Sequence, residues 1–157
     1  MKRNLFYLVA ILSIIVCASC KSVSQVTDKD DVPYIVAKNY FVRNDVIHNE
    51  PRKIENRKDF ENTFGMAATM GKGGQPTEIN FARQYVIAVM TAPTDHDTEI
   101  IPVSLKRNAT SKDVTFSYSI RRGSKARSYK THPCLIIVVD NNYDGKLHFS
   151  IMPHVRQ

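Results

Sequence analysis

Gly74-Gln75-Pro76-Thr77-Glu78-Ile79-Asn80-Phe81-Ala82-Arg83-Gln84-Tyr85-Val86-Ile87-Ala88-Val89-Met90-Thr91-Ala92 is the stretch whose reading decides the fold. Gly73, Gly74 and Pro76 form a turn, and Ile79 and Phe81 lead into Tyr85–Met90, which is apolar on both alternations of a strand. A strand with two apolar faces has to be covered on both sides, so the flanking segments are expected to pack around this one.

Downstream, Pro93 to Asp97 reads as a turn, and Ile101, Val103 and Leu105 alternate to one side of a strand. Pro102 has no N–H to give, which puts that strand at a sheet edge or beside a bulge. Val114, Phe116, Tyr118 and Ile120 alternate with Asp113, Thr115, Ser117 and Ser119, the pattern of a half-buried strand. Arg121-Arg122-Gly123-Ser124 is expected to turn the chain into a short strand around Ala126–Tyr129. Cys134–Val139 is apolar throughout and reads as a second interior strand. Asp140–Gly145 is a turn, and Leu147, Phe149 and Ile151 form a last strand.

Upstream, Tyr40–Val46 reads as a first strand and Lys53-Ile54 as a short second one. Asn56 can cap a helix whose Asp59 reaches back to it, with Phe60 and Phe64 on one face. Gly65 is placed to end that helix in a left-handed conformation. Met66–Met70 either adds a turn or covers the core irregularly. Short strands, tight turns and one short helix predict an α+β domain, mostly antiparallel β-sheet or a partly closed barrel.

The N-terminus carries an address. Lys2 and Arg3 precede the apolar run Leu5–Val16, whose 12 residues are too few to span a bilayer core of about 30 Å. The run closes on Cys17-Ala18-Ser19-Cys20, which resembles the lipobox of bacterial lipoproteins, although Cys17 stands where that family usually has an aliphatic residue. The resemblance implies cleavage after residue 19, acylation of Cys20, and a protein held at a membrane of the bacterial cell envelope. An ordinary secretory cut near Ala18 or Ser19 is the alternative. Residues 20–33 are polar and aperiodic and read as a tether, with residues 34–157 forming one globular domain.

Loss of residues 1–19 removes Lys2 and Arg3 and no acid, so the formal charge falls from +7 to +5. The main basic cluster, Arg121-Arg122-Gly123-Ser124-Lys125-Ala126-Arg127, is expected at a solvated hairpin tip. An envelope address argues against nucleic acid as a partner. Cys134 alone remains free, so no internal disulfide is expected and stability must come from the core.

No stretch carries a catalytic or metal signature. Thr94-Asp95-His96-Asp97-Thr98 gathers two carboxylates and an imidazole, but neighbours on a turn cannot all aim at one ion. His132 and Cys134 sit two apart, about 6.5–7 Å along a strand, beyond nucleophile–base contact. Gly71-Lys72-Gly73-Gly74 lacks the spacing of a phosphate loop, and Asp140–Gly145 lacks the glutamate and spacing of a calcium loop. No cofactor is implied.

Residues 54–152 resemble, in pattern and order, the PrcB-type protease-complex lipoprotein domain: a short helix ending near Phe60–Gly65, then Ile79-Asn80-Phe81 and Tyr85-Val86-Ile87-Ala88-Val89, then alternating strands. The family's Thr-Gly-Gly-aromatic turn is replaced here by Ala92-Pro93-Thr94-Asp95-His96-Asp97. The whole chain also looks like small lipoproteins of gut Bacteroidetes. These likenesses imply a lipid-anchored, non-catalytic binding protein whose partner is a protease or other envelope protein. The expected contact residues are Lys72, Gly73, Gly74 and Gln75 at one end of the central strand and Thr94, Asp95, His96 and Asp97 at the other. The rival classes are a hydrolase using His132 or His96, and a glycan- or lipid-binding module using Tyr40, Tyr129, Tyr143 and the Arg121–Arg127 cluster.

Overall fold

The computed structural model describes residues 28–47, 49–71 and 73–153. The expected signal sequence, Cys20, most of the expected tether and Lys72 lie outside these residues. The chain is α+β and mostly antiparallel. Its strands are β1 (Tyr34–Val36), β2 (Tyr40–Val42), β3 (Arg52–Ile54), β4 (Phe64–Met66), β5 (Gln84–Met90), β6 (Thr94–Arg107), β7 (Val114–Thr131), β8 (Cys134–Asp140) and β9 (Leu147–Ile151), with one helix, α1 (Arg57–Thr63). They form a central sheet in the order β1-β8-β5-β3, a second sheet β6-β7-β9 and a small β2-β4 ladder. The sheets stay open, so the barrel alternative does not apply. Among the described residues no helix is long and apolar enough to cross a membrane.

The two interior strands are β5 and β8, paired in register from Gln84↔Asp140 to Met90↔Cys134. The ladder does not stop there. Thr91 N–H donates to Pro133 C=O at 3.1 Å, and Thr94 then pairs with Thr131. β5 runs into β6 and β7 into β8 as one long ribbon, cornered at Ala92-Pro93 and His132-Pro133 and bent back over its own first half. Tyr85, Ile87, Val89, Leu135, Ile137 and Val139 thereby meet Ile100, Leu105, Val114, Phe116 and Tyr118. The other face, Val86, Ala88, Met90, Ile136 and Val138, is covered by Val42, Phe60, Phe64 and Ile79. This is the two-sided cover that the apolar alternations require.

Several boundaries differ from the sequence reading. β6 begins at Thr94, where a turn was expected, and β7 runs unbroken through Arg121–Ser124 to Thr131. The β6–β7 turn is Asn108–Asp113, where Asn108 Oδ1 accepts from the N–H groups of Thr110 and Ser111. Val103 does not share a face with Leu105. A bulge leaves it as the extra residue between Pro102↔Tyr118 and Ser104↔Ser117, so Ile100 and Leu105 are buried while Val103 is 51% exposed. Pro102 thus sits beside a bulge on an edge strand.

The strand expected first, at Tyr40–Val46, is preceded by β1 and ends at Val42. Asn56 caps α1 as read, its side chain accepting from Asp59 N–H. The helix ends at Thr63, however, and Gly65 is an extended residue of β4 rather than a left-handed stop. Opposite it in the ladder, Phe41 lies across the bare Gly65 backbone, filling the place a side chain would take.

Residues 28–32, expected as part of a tether, lie on the fold. Val32 is only 3% exposed and its N–H donates to Leu105 C=O at 2.8 Å. Arg107 N–H donates to Asp30 C=O, and Lys106 Nζ reaches Asp28 Oδ2 at 3.0 Å. Residues 28–32 are a strap laid on the outer edge of β6 at its turn end. The Lys106 contact holds the Asp28 carboxyl below its ordinary value.

Candidate interaction site

Pairing of β6 with β7 brings two separate sequence candidates onto one surface. Glu99 stands across from Arg121, Thr98 from Arg122, and His96 from Ala126. Between the last two pairs, Gly123, Ser124 and Lys125 oppose Asp97 alone. Between His96↔Ala126 and Thr94↔Thr131, Arg127–Lys130 oppose only Asp95. The extra residues all stand on β7, so this strand bows away from its partner and its side chains are re-aimed outward. Gly123 stays close to the partner strand within this bow: a Cβ there would lie 3.2 Å from Asp97 Cβ. Except for Gly123, every residue from Arg121 to Lys130 is exposed.

The acids of this ribbon are matched one for one. Asp97 Oδ1 accepts from Arg127 Nη2 at 2.7 Å, and Glu99 pairs with Arg121. Asp95 Oδ1 lies 2.8 Å from His96 Nδ1, a contact that, ahead of the field of Lys130, keeps the Asp95 carboxyl below its ordinary value. Asp95, Asp97 and Glu99 share one alternation of β6 and so project from one face. Arg127 also lies over the ring of Tyr129, 5.7 Å from its centroid, and that ring is 58% exposed. Among the described residues Arg122 and Lys125 have no acidic partner. An open groove runs between Asp97–Glu99 and Ile120–Ser124. The basic cluster is therefore a bowed mid-strand segment and not a hairpin tip, and Thr94–Asp97 are strand residues and not a turn.

The other expected contact loop lies elsewhere. Asn39, at φ +63°, donates through Nδ2 to Gly73 C=O at 2.8 Å and Gln75 C=O at 2.9 Å. Gly74 is buried, and its carbonyl accepts from Thr69 N–H. Gly73–Gln75 is thus tied to the β1–β2 turn and shares no hydrogen bond or groove with Thr94–Asp97 among the described residues. Tyr40 packs edge-on against Phe60 and donates to Thr77 C=O, and Tyr143 packs against the first core. Of the three tyrosines, only Tyr129 offers its ring.

His132 Nε2 lies 2.7 Å from Asn49 Oδ1, and partial burial pushes its pKa down. Cys134 packs in the second core, and burial pushes its thiol up to about 11. Among the described residues no three His, Cys, Asp or Glu side chains converge as metal ligands. A second concavity, about 370 Å³ between Asp45–Ile47, β3 and α1, was not foreseen. Arg52 reaches into it and donates to Thr63 Oγ1 at 2.6 Å. Only the pairing of β3 with the central sheet edge, invisible in three residues of sequence, creates it. No family model, no curated protein and no solved structure matches the chain. The ribbon must be read by its own chemistry. Its arginines and the exposed Tyr129 ring are side-chain types enriched at protein interfaces.

Proposed function

We propose that this chain is a lipid-anchored cell-envelope protein that acts by contact and not by catalysis, binding another envelope or secreted protein, foremost a protease that it inhibits or stabilises. One observation carries the reading: pairing of β6 with β7 brings Thr94–Asp97 and Arg121–Tyr129 together on one largely exposed ribbon that continues the strands of the packed core. Scaffold-held surfaces of that kind are what recognition uses. The lipobox-like Cys17–Cys20 supports the anchor, and the PrcB-like pattern over residues 54–152 supports a protease as partner. A thiol pushed up to about 11 makes Cys134 a poor nucleophile, which favours contact over chemistry.

The test is a titration of the full chain, in nonionic detergent, into a panel of cysteine and serine proteases, with residual activity followed to molar equivalence. Stoichiometric loss of activity with the chain left intact is the expected result for an inhibitor. Longer protease lifetime without loss of activity is the expected result for a stabiliser. Rapid cleavage of the chain with neither effect would sink the protease reading.

A further inference from the structure

We infer that the concavity between β3, α1 and Asp45–Ile47 binds a carboxylate carried on a short aliphatic body, with the Arg52 guanidinium as its main contact. This site lies at the edge of the central sheet, shares no residue with the groove of the β6–β7 ribbon, and does not depend on a protease as partner.

Arg52 is an anchored cation without an anion. Thr63 Oγ1 donates its proton to Asp59 C=O at 2.7 Å, so its lone pairs are left to accept from Arg52 Nη2 at 2.6 Å. Thr63 is itself buried, which fixes one corner of the guanidinium fork. Among the described residues no carboxylate pairs with Arg52, and its buried Nε has no acceptor. A buried polar group left without a partner calls for a cause. An arginine with N–H groups to spare is best met by a carboxylate, whose two oxygens match its planar fork.

The strand sets this fork beside an open wall. Arg52 and Ile54 share one alternation of β3 and face α1 and the second core, whereas Lys53 faces the Tyr85 ring on the other side. All three border the concavity, so it opens on the outer edge of the strand and not on one face alone. β3 is the last strand of its sheet, and among the described residues no strand pairs with that edge. Across from it stand Asp45–Ile47, and Asn49, two residues further on, meets His132 at 2.7 Å. The volume of about 370 Å³ is near the small end of ligand sites, which run from about 300 to 1,000 Å³. It suits a small acid or the last residue of a chain.

The rest of the lining separates a carboxylate from other anions. Asp45 and Asp59 also border the site, Asp45 lying 3.4 Å from Arg43 and Asp59 accepting from Asn56 Nδ2 at 2.8 Å. Two carboxylates close by disfavour a phosphate, with about two negative charges at neutral pH, more than they disfavour a single carboxylate. Val46, Ile47 and Ile54 are the aliphatic part of the lining and fit an apolar body behind the charged group.

The test uses isotope-labelled full chain in nonionic detergent. It is titrated separately with an N-acetylated tripeptide ending in valine with a free carboxylate, the same peptide as its C-terminal amide, isovalerate, and inorganic phosphate. At least one of the two carboxylates is expected to saturate and to shift amides of Asp45–Ile47, Arg52–Ile54 and Asn62–Thr63. Saturation by the peptide alone would make a chain end the source of the carboxylate, and isovalerate binding as well as the peptide would make the free acid sufficient. Arg52→Gln should weaken binding at least about tenfold. Arg122→Gln, which changes an exposed cation elsewhere, should bind as the parent does. Saturation by neither carboxylate would overturn the inference, as would equal binding of the amide, tighter binding of phosphate, shifts confined to other segments, or an unchanged affinity in Arg52→Gln. The comparison of free acid with amide is made on the parent chain, so it decides the matter even where Arg52→Gln lowers the melting temperature.

Discussion

Lys53 Nζ stands 2.5 Å from Asp144 Oδ1 and 2.7 Å from Glu55 Oε1, and it lies 4.8 Å from the centroid of the Tyr85 ring. The contact ties the edge strand β3 to the loop after β8, which are far apart in the chain. It holds Asp144 below its ordinary value of 3.8. For Lys53, burial disfavours the charge, but the two carboxylates outweigh it and raise the pKa. A lowered carboxyl adds stability above the unfolded value, and that stability disappears as pH falls through the lowered one. A raised ammonium adds stability below its unfolded value and loses it as pH rises through the raised one. Asp144→Asn should therefore cost about 0.5–1 kcal/mol between pH 5 and 9, the partly exposed partner limiting the effect. Urea midpoints of parent and variant should converge below about pH 3.8. A gap that persists at pH 2 would assign the cost to something other than the charge.

Gly145 and Gly74 are structural glycines in loops that resemble ligand loops in sequence. A Cβ on Gly145 would lie 2.0 Å from Lys112 C=O, and one on Gly74 would lie 2.0 Å from Thr69 C=O. Backbone atoms cannot yield as a side-chain tip can. Gly145→Ala and Gly74→Ala should each cost about 2–3 kcal/mol, measured by chemical denaturation. A neutral result at either site would mean that its loop relaxes freely.

Cys134 should be slow to alkylate. With its thiol pushed up to about 11 and its side chain in the core, little thiolate exists at pH 8. Iodoacetamide labelling, followed by mass on the peptide containing Cys134, should be at least about tenfold slower than for a free cysteine. It should rise sharply in denaturant. Fast native labelling would reopen a reactive role for this residue.

Asp97→Ala should barely change stability, by less than about 0.5 kcal/mol, because its side chain is 71% exposed and its Arg127 partner is 37% exposed. Phe60→Ala, under the central sheet, should cost about 3–5 kcal/mol, because that ring fills the second core against Tyr40, Phe64 and Phe81. Thermal melts of the two variants side by side make the contrast. A large loss for Asp97→Ala would make the ribbon a structural brace and not a contact surface.

The interior of this protein was legible before any coordinate. Six apolar positions in a row at Tyr85–Met90, and again at Cys134–Val139, short, rich in Val and Ile and bounded by turn residues, read as strands with two covered sides. The alternation from Val114 to Tyr118 places its buried face, and departs only at Ser119, which is buried although it read as outward. The Asn56 cap is equally local, since an amide three residues ahead of an N–H needs nothing else to bond it. Burial and capping are written in residue type and spacing, and both survive folding unchanged.

The ribbon was not legible. Thr94–Asp97 and Arg121–Ser124 are polar, and polar runs containing Gly or following Pro read as turns when viewed alone. They are strands because β6 and β7 pair along their length, Thr94 with Thr131 and His96 with Ala126, and Arg121 and Arg122 with Glu99 and Thr98. Bulges then shift the register in ways that no periodicity reveals, as at Val103 and Lys125. The sequence by itself determined which segments form the core, because apolar side chains carry their own reason for burial. Only the tertiary structure decided which polar segments meet, because their hydrogen bonds are satisfied equally well by water until the core strands on either side draw them together.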